Sequence, residues 1–295
     1  MDAPQPKKEF AWQPLTPRGI SKFSRAKVGR LWLVQFVFAL ILAGVVIWLV
    51  ALDWFPVVAK SFKNVPGPAE IRGGRLAWPY EPAMVLGENR FFGVSVDLNH
   101  GGNARSPADV AVELGAVDYK IFSLFGYVHV HWTYPRAWII ALGRDEALPW
   151  WGAWSPVILA LIAASLIASM LLVWSLLASL YFGPTWLFAF FANRQLTLGG
   201  SWRLTGAALM PGALFFSAAM IVYGLGWYPL LGLTLAFAAH IAMGWVYVCL
   251  ATLKLPLEPE VTATKTNPFA PPPAPTSPQP AEAPNEPSTA KPEGQ

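Results

Sequence analysis

Two histidines, His129 and His131, lie two residues apart in a segment whose apolar and polar residues alternate. Residues i and i+2 of a β-strand lie on the same face, so both imidazoles could bind one metal ion. His100 or Asp97 would have to complete the ligand set, but neither lies at a spacing typical of a metal site. Because such pairs also occur on solvated strand faces, we predict no metal, no cofactor and no catalytic residue here.

Acidic residues near these histidines form a second candidate group, namely Asp97, Asp109, Glu113 and Asp118. Paired carboxylates can perform acid–base chemistry when their environments separate their pKa values. A small domain usually carries this many acids on its surface, and the chain has no phosphate-binding loop, nucleophile elbow or dinucleotide fingerprint. We therefore predict a non-enzymatic protein. A membrane-bound hydrolase, the second alternative, would need His129, His131 and Asp97 to converge.

His240 is the one ionisable side chain within the long apolar runs of the sequence. An ionisable residue inside a membrane is a functional candidate by default. Transporters usually carry several such groups, and His240 has no acid to pair with inside these runs, so we interpret it as a packed polar residue. The alternative is a transporter, or an accessory subunit of one, in which helices two to four line the route. The polar groups available to it are His240 and the hydroxyls of Ser165, Ser169, Ser217 and Thr234.

Four long runs without charged residues predict the helices that would position these side chains. They are residues 31–52, 153–182, 204–227 and 230–253. A helix needs about 20 apolar residues to cross a bilayer, and each run is long enough. Only 13% of the residues are charged, against about 25% in soluble domains. This composition excludes a soluble enzyme, a nucleic-acid-binding module and a fully disordered chain, and it predicts an integral membrane α-helical protein with four transmembrane helices.

Basic residues predict how these helices are oriented. Residues 1–30 contain seven Lys and Arg but two acids, and the link 183–203 carries Arg194 and Arg203 without an acid. Positive charge stays in the cytoplasm, so we predict a multi-pass membrane protein with both termini cytoplasmic. Because Pro184 follows the second run, we predict an interfacial helix within 183–203; the alternative is a kinked continuation of the second helix through 183–193.

Residues 53–152 would then form a small α+β extracytoplasmic domain with about four strands. Strand patterns occupy 71–78 and 91–98, and two more strands flank Gly126. A short helix is expected from Ser106 to Asp109, where Ser can cap the helix and Pro can follow it. If the flanking tryptophans belong to the membrane interface, we expect residues 62–147 to fold alone.

The end of the chain and two helix faces are candidate partner sites besides the lipid bilayer. Twelve prolines after residue 255 predict a disordered Pro-rich cytoplasmic tail over residues 254–295. Small residues spaced four apart could let another helix approach closely; they are Ala160, Ala164 and Ala168 in the second run, and Gly232, Ala236 and Gly244 in the fourth. The single cysteine, Cys249, excludes an intramolecular disulfide, and we predict no nucleic-acid partner.

Three short motifs resemble those of a bacterial membrane-protein family that includes a maltodextrin-utilisation membrane protein. They are Ile71-x-x-Gly74-x-Leu76, Val94-x-Val96-Asp97 and Ser201-Trp202-Arg203. The resemblance covers roughly residues 30–255, and the Pro-rich tail and Trp-rich helices depart from the family's pattern. It implies a multi-pass protein of the bacterial plasma (inner) membrane, with one helix, an extracytoplasmic domain and three further helices, and with no activity to carry over. We therefore expect the domain to have a binding, sensing or scaffolding role in the envelope.

Overall fold

The structure is a computed structural model that describes residues 11–81, 83–126 and 128–258. The described residues up to Pro256 belong to one compact unit, and Leu257 and Glu258 belong to another. Residues 1–10 of the predicted basic segment, and residues 259–295 of the predicted disordered tail, lie outside the described residues.

Helices make up most of the described chain. After a short helix α1 (Pro17–Phe23), the first long helix comprises α2 (Val28–Leu49), a π-helical turn (Val50–Trp54) and α3 (Phe55–Asn64). The others are α4 (Arg144–Phe191), the pair α5 (Leu198–Ala208) and α6 (Met210–Gly224), and α7 (Leu230–Thr252). Four helices in the described residues are therefore long and apolar enough to cross a membrane, as the sequence predicts. The boundaries differ, because the first helix continues past residue 52 and the second begins before residue 153.

Prolines explain the irregular turns within two of these helices. Pro56 has no N–H to donate to the carbonyl four residues back, and the chain widens just before it, where the N–H of Phe55 donates to the carbonyl of Val50. Pro211 likewise lies in the first turn of α6, where a backbone N–H would have no partner within the helix. The helix α5 ends just before it, at Ala208.

The helix α4 passes through Pro184 and ends at Phe191, so the structure has the predicted alternative of a longer helix rather than a separate interfacial helix. Two hydroxyls bind backbone carbonyls close to the proline. Thr185 donates to the carbonyl of Tyr181 at 2.8 Å, and Ser201 of α5 donates to the carbonyl of Phe182 at 2.6 Å. These hydroxyls add hydrogen bonds to the turn that precedes the proline, one of them from another helix.

Eight strands in the described residues form two sheets between α3 and α4. The three-stranded sheet has the order β2 (Arg75–Ala77), β1 (Glu70–Arg72) and β8 (Ile139–Ala141), all antiparallel. The five-stranded sheet has the order β3 (Met84–Glu88), β4 (Phe92–Val96), β5 (Val110–Leu114), β6 (Asp118–Ser123) and β7 (Val128–Thr133). Its central strands β4 and β5 are parallel, and the other neighbours are antiparallel. The sheet is thus larger than predicted.

The predicted helix at Ser106–Asp109 is wrong, because this segment is an irregular loop that leads into β5. The hydroxyl of Ser106 accepts from the N–H of Ala108 and donates to the carboxylate of Glu88 at 2.9 Å, so it links the loop to β3. The residues that follow alternate between half-buried and buried positions as a strand does. The pairing of the strands on either side of Gly126 agrees with the prediction.

Two large apolar cores, and a small cluster of Leu49, Phe91 and Tyr223 between helices and sheets, hold the described residues together. The helical core includes the fully buried side chains of Phe23, Leu31, Leu204 and Met210. The sheets have a separate core around Ile71, Leu76, Trp78 and Val96. The helix α3 lies against β3 so closely that a methyl group on Gly87 would approach the backbone carbonyl of Val57 to 2.9 Å. A helix predicted to lie partly in the membrane therefore continues as part of the sheet region.

Candidate functional site

The two candidate metal ligands lie on the edge strand β7, where both His129 and His131 are exposed. They lie opposite Phe122 and Lys120 of β6. No group of three or more His, Cys, Asp or Glu side chains in the described ranges could hold a metal ion. The structure therefore brings no third ligand to these histidines, and the convergence with Asp97 that a hydrolase would need is absent from this part of the chain.

His100, the possible third ligand of the predicted metal site, lies instead between two carboxylates. Its Nδ1 is 2.5 Å from an oxygen of Glu113, and its Nε2 is 3.0 Å from an oxygen of Asp118. Both ring nitrogens of His100 are therefore occupied by contacts with carboxyl oxygens. Neither nitrogen is free to bind a metal or to act as a base. Glu113 is almost completely buried, and its other oxygen has no hydrogen-bond partner.

Asp97 begins the loop that joins the parallel strands β4 and β5, and its carboxylate organises that loop. It accepts a hydrogen bond from the N–H of Asn103 at 3.1 Å. Burial by itself would raise the pKa of Asp97, but hydrogen bonds from the backbone of Gly101, Asn103, Asn99 and Gly102 lower this pKa overall. The group is therefore a stable anion that holds a turn, a structural task rather than a catalytic one.

Asp109, at the other end of this loop, joins the sheet to the helices. Its carboxylate accepts a hydrogen bond from the hydroxyl of Tyr223 in α6 at 2.8 Å, and both groups are buried. Arg90 donates to the carbonyls of Gly226 and Tyr228 at 2.6 and 2.8 Å, in the link between α6 and α7. We call these five residues the junction. Of the four acids found in the sequence, Asp97 stabilises a loop and Asp109 joins the sheet to α6. The other two, Glu113 and Asp118, contact His100.

His240 packs within the pair formed by α6 and α7. Its ring lies 5.2 Å from that of Phe216 and 4.8 Å from that of Phe237, whose carbonyl it contacts through Nδ1. A methyl group on Gly212 would meet the carbonyl of His240 at 2.6 Å, so the two backbones approach closely there. These contacts agree with a packing role and bring no acidic group to the imidazole.

The two stripes of small residues have different environments. In α7, Gly244 is buried, and a methyl group on it would lie 3.3 Å from Leu209 in the link between α5 and α6; Gly232 and Ala236 are half-buried. The α4 stripe, Ala160, Ala164 and Ala168, is exposed. Cys249, also in α7, is half-buried. Only the α7 stripe therefore packs within this chain.

A large concave surface lies where the ends of α3 and α4 meet the three-stranded sheet. This opening, which we call the groove, has a volume of about 1090 Å³ and is lined by residues from 63–70, 77–79 and 141–146. Its charged side chains are Lys63, Glu70, Arg144, Asp145 and Glu146. Trp78 forms part of its wall, and the buried indole N–H of this residue has no hydrogen-bond partner.

A second opening, which we call the aromatic pocket, adjoins the groove. It has a volume of about 590 Å³ and shares Ala141 and Glu146 with the groove. Its remaining lining is apolar, namely Phe62, Trp138, Ile139, Ile140, Ala147 and Trp150. Sequence reasoning missed both openings because their walls come from segments far apart in the chain. The one local indication of a pocket was the adjacent apolar pair Trp138 and Ile139, which the structure exposes.

Comparison with known proteins yields no match to a protein-family model, a curated protein or a solved structure. The resemblance to the family that includes a maltodextrin-utilisation membrane protein therefore remains a prediction.

Proposed function

We propose that this chain is a multi-pass plasma-membrane protein that holds a binding domain just outside the bilayer, with the groove as its binding site. The observation that carries the proposal is the groove itself. It is a large polar opening built on the ends of two long helices and on a three-stranded sheet. Binding sites are typically concave and supported by rigid elements, and this one fits that description.

The surface of the helices supports a membrane location. Only 6% of the most apolar stretch of α4 is buried, against 56% in the helix formed by α5 and α6. Large apolar side chains such as Leu161, Leu172, Leu176 and Leu180 are exposed along α4. A surface this apolar needs lipid around it, since soluble proteins rarely expose contiguous patches of this size.

The distribution of basic residues supports the predicted orientation. Arg203 donates to the carbonyl of Ser24, just after α1, at 2.6 Å, and Arg194 donates to the carbonyl of Leu255, just after α7, at 2.7 Å. These contacts join the segments that follow α1 and α7 to α5 and to the link before it. The sheets, in contrast, contact the link between α6 and α7. A basic end opposite the sheets fits a cytoplasmic side for the former and an outer side for the latter.

The polar residues of the helices do not favour transport over binding. The hydroxyls of Ser169, Ser217 and Thr234 each donate to a carbonyl of their own helix. A transport route needs polar groups that face one another across a path near the middle of the membrane. We therefore place the function in the outer domain and not among the helices.

The orientation is tested with single cysteines in a Cys249→Ser background. Asn103 and Arg75 are exposed in the sheet region, so Asn103→Cys and Arg75→Cys should react with an impermeant thiol reagent in intact spheroplasts. Ser288→Cys in the Pro-rich tail should react only after lysis. Labelling of Ser288→Cys in intact spheroplasts would contradict the orientation.

The binding role is tested with a photoreactive amino acid in the full chain in its membrane. Ala77 is exposed and lines the groove, whereas Val117 is exposed on a turn that does not line it. Illumination should give a discrete mass increase with the probe at Ala77 and none with the probe at Val117. The same result at both positions would contradict a binding role for the groove.

A further inference from the structure

We propose that the groove and the aromatic pocket together bind one phospholipid, with an acyl chain in the pocket and the headgroup in the groove. This inference depends on the proposed function, because it names the ligand class of the same site. The two openings share Ala141 and Glu146, so a single molecule can occupy both. One opening is apolar and the other is charged, which is the division that an amphiphile requires.

The aromatic pocket exposes large apolar side chains that no described residue covers. Trp138 is 59% exposed and Ile139 is 66% exposed, and both line the pocket with Phe62 and Trp150. Exposed apolar surface concentrated around a cavity is typical of a binding site for an apolar group. An acyl chain is long, flexible and apolar, so it can cover these side chains.

The surface of α4 connects the pocket to the bilayer. Trp150 lines the pocket, and Trp154, Val157 and Leu161 follow it at intervals of four, three and four residues. These intervals place all four on one face of the helix, and all four are exposed. An acyl chain can therefore move from the bilayer to the pocket along a continuous apolar stripe. This continuity favours a membrane lipid over a water-soluble ligand.

The groove offers both signs of charge for the headgroup. Lys63 and Arg144 can bind a phosphate, and Asp145 and Glu146 can bind an ammonium group. All four side chains are exposed, so they remain available to a ligand. A zwitterionic headgroup carries one group of each kind, and we therefore assign the site to a zwitterionic phospholipid, for which phosphatidylethanolamine is the probe.

The test is a titration of delipidated full-length protein in detergent with dioleoyl phosphatidylethanolamine, followed by native mass spectrometry. Trp138→Ala should weaken binding about tenfold or more, since it removes a large apolar wall of the pocket. Trp132→Ala is the matched control, because Trp132 is 53% exposed on β7 and does not line the pocket. Equal binding by these two variants would overturn the proposal.

The assignment of the headgroup is tested with two further variants and two partial ligands. Arg144→Gln should weaken binding, whereas Arg75→Gln, at an exposed position outside the groove, should not. Oleate and glycerophosphoethanolamine, which carry only one half of the ligand each, should both bind more weakly than the complete lipid. Oleate binding as tightly as the phospholipid would overturn the proposal. A photoadduct at Ala77 without lipid binding would overturn this inference alone, and the absence of both would overturn the binding role as well.

Discussion

Among single residues, Asp97 shows how one carboxylate can stabilise a connection between parallel strands that contains no helix. Parallel strands need a long connection, usually a helix, but residues 97–109 connect β4 to β5 without one. The carboxylate of Asp97 instead accepts backbone N–H groups of the turn that follows, among them that of Asn103. The loop therefore depends on the charge of this residue.

We expect Asp97→Asn to lower the free energy of unfolding of the sheet region by about 1–3 kcal/mol. The pKa of Asp97 is lower in the folded chain than its ordinary value, so the unfolded chain binds more protons between the two values. Its contribution to stability is complete above the ordinary carboxyl pKa of about 4 and is lost as the pH falls through the folded pKa. Asp97→Asn should remove that part of the acid sensitivity.

The measurement is thermal unfolding of the full chain in detergent between pH 3 and pH 7, the range about the ordinary pKa. Glu81→Gln is the control, since Glu81 is an exposed acid of the same region. An Asp97→Asn variant that keeps the wild-type loss of stability in acid would contradict this role.

His100 provides a second prediction for a single residue. His100→Ala removes the partner of the buried carboxylate of Glu113, and an unpaired buried charge costs about 3–5 kcal/mol. Adding Glu113→Gln should recover part of the loss, because a neutral amide costs less to bury. Equilibrium unfolding of the two single variants and the double variant measures this coupling. Additive losses would show that the contact between His100 and Glu113 contributes nothing to stability.

Among the helices, the crossing of α6 and α7 depends on the absence of a side chain at one position. A methyl group on Gly212 would meet the carbonyl of His240 at 2.6 Å, and a backbone group cannot move aside as a flexible side chain can. We expect Gly212→Ala to lower stability by about 1–3 kcal/mol, the usual cost of overpacking.

Gly44→Ala is the matched control for this variant. Gly44 lies inside α2, and nothing lies within 4 Å of the added methyl group. Alanine favours the helix more than glycine does, so this change should leave the melting temperature equal or slightly higher. A similar loss in both variants, measured by thermal unfolding in detergent, would argue against the close approach of α6 and α7.

The elements differ in how far the sequence predicts them. Long uncharged runs identify the four apolar helices, because length and composition alone decide whether a helix can cross a bilayer. Pro184 predicted a break after the second helix, but α4 continues through it. The hydroxyls of Thr185 and Ser201 lie beside this proline, and the sequence could not show this for Ser201 because it belongs to another helix. The start of β5 was missed because Ser106-Pro107 favours a helix locally, whereas pairing with β4 and β6 favours a strand.

The candidate site was harder to predict than the elements. The groove combines residues from 63–70, 77–79 and 141–146, which the fold alone brings together. The spacing of His129 and His131 was visible in the sequence, yet the strand presents them to solvent. The local pattern therefore identified two side chains that can bind a metal, but it did not identify the groove.

At the scale of the whole molecule, the sheet region is part of the helical body and not a free domain. Trp54, at the end of the π-helical turn, stacks on Phe92 of β4 with ring centroids 4.8 Å apart. Trp151 of α4 contacts Phe55 and Phe62 of α3. These contacts contradict the condition under which residues 62–147 were expected to fold alone, since that fragment lacks most of α3.

The junction supplies the corresponding prediction. Arg90→Met removes two hydrogen bonds to the carbonyls of Gly226 and Tyr228 but keeps an apolar side chain of similar length. We expect faster hydrogen exchange at residues 89–92 and 225–229, because the sheet separates locally from the helices. Exchange in the helical core around Leu204 should not change. Unchanged exchange at the link between α6 and α7 would show that Arg90 does not hold it.

The continuity of α4 has a mechanical consequence. A helix of 48 residues is about 70 Å long, roughly twice the thickness of the hydrocarbon core. Its first turn, at Arg144, forms a wall of the groove, and its last turn, at Phe191, lies beside the basic link to α5. In the proposed topology, a ligand that tilted the first turn would move one end of a lever whose other end is on the opposite side of the bilayer. Pro149, Pro156 and Pro184 are the points where that lever can bend.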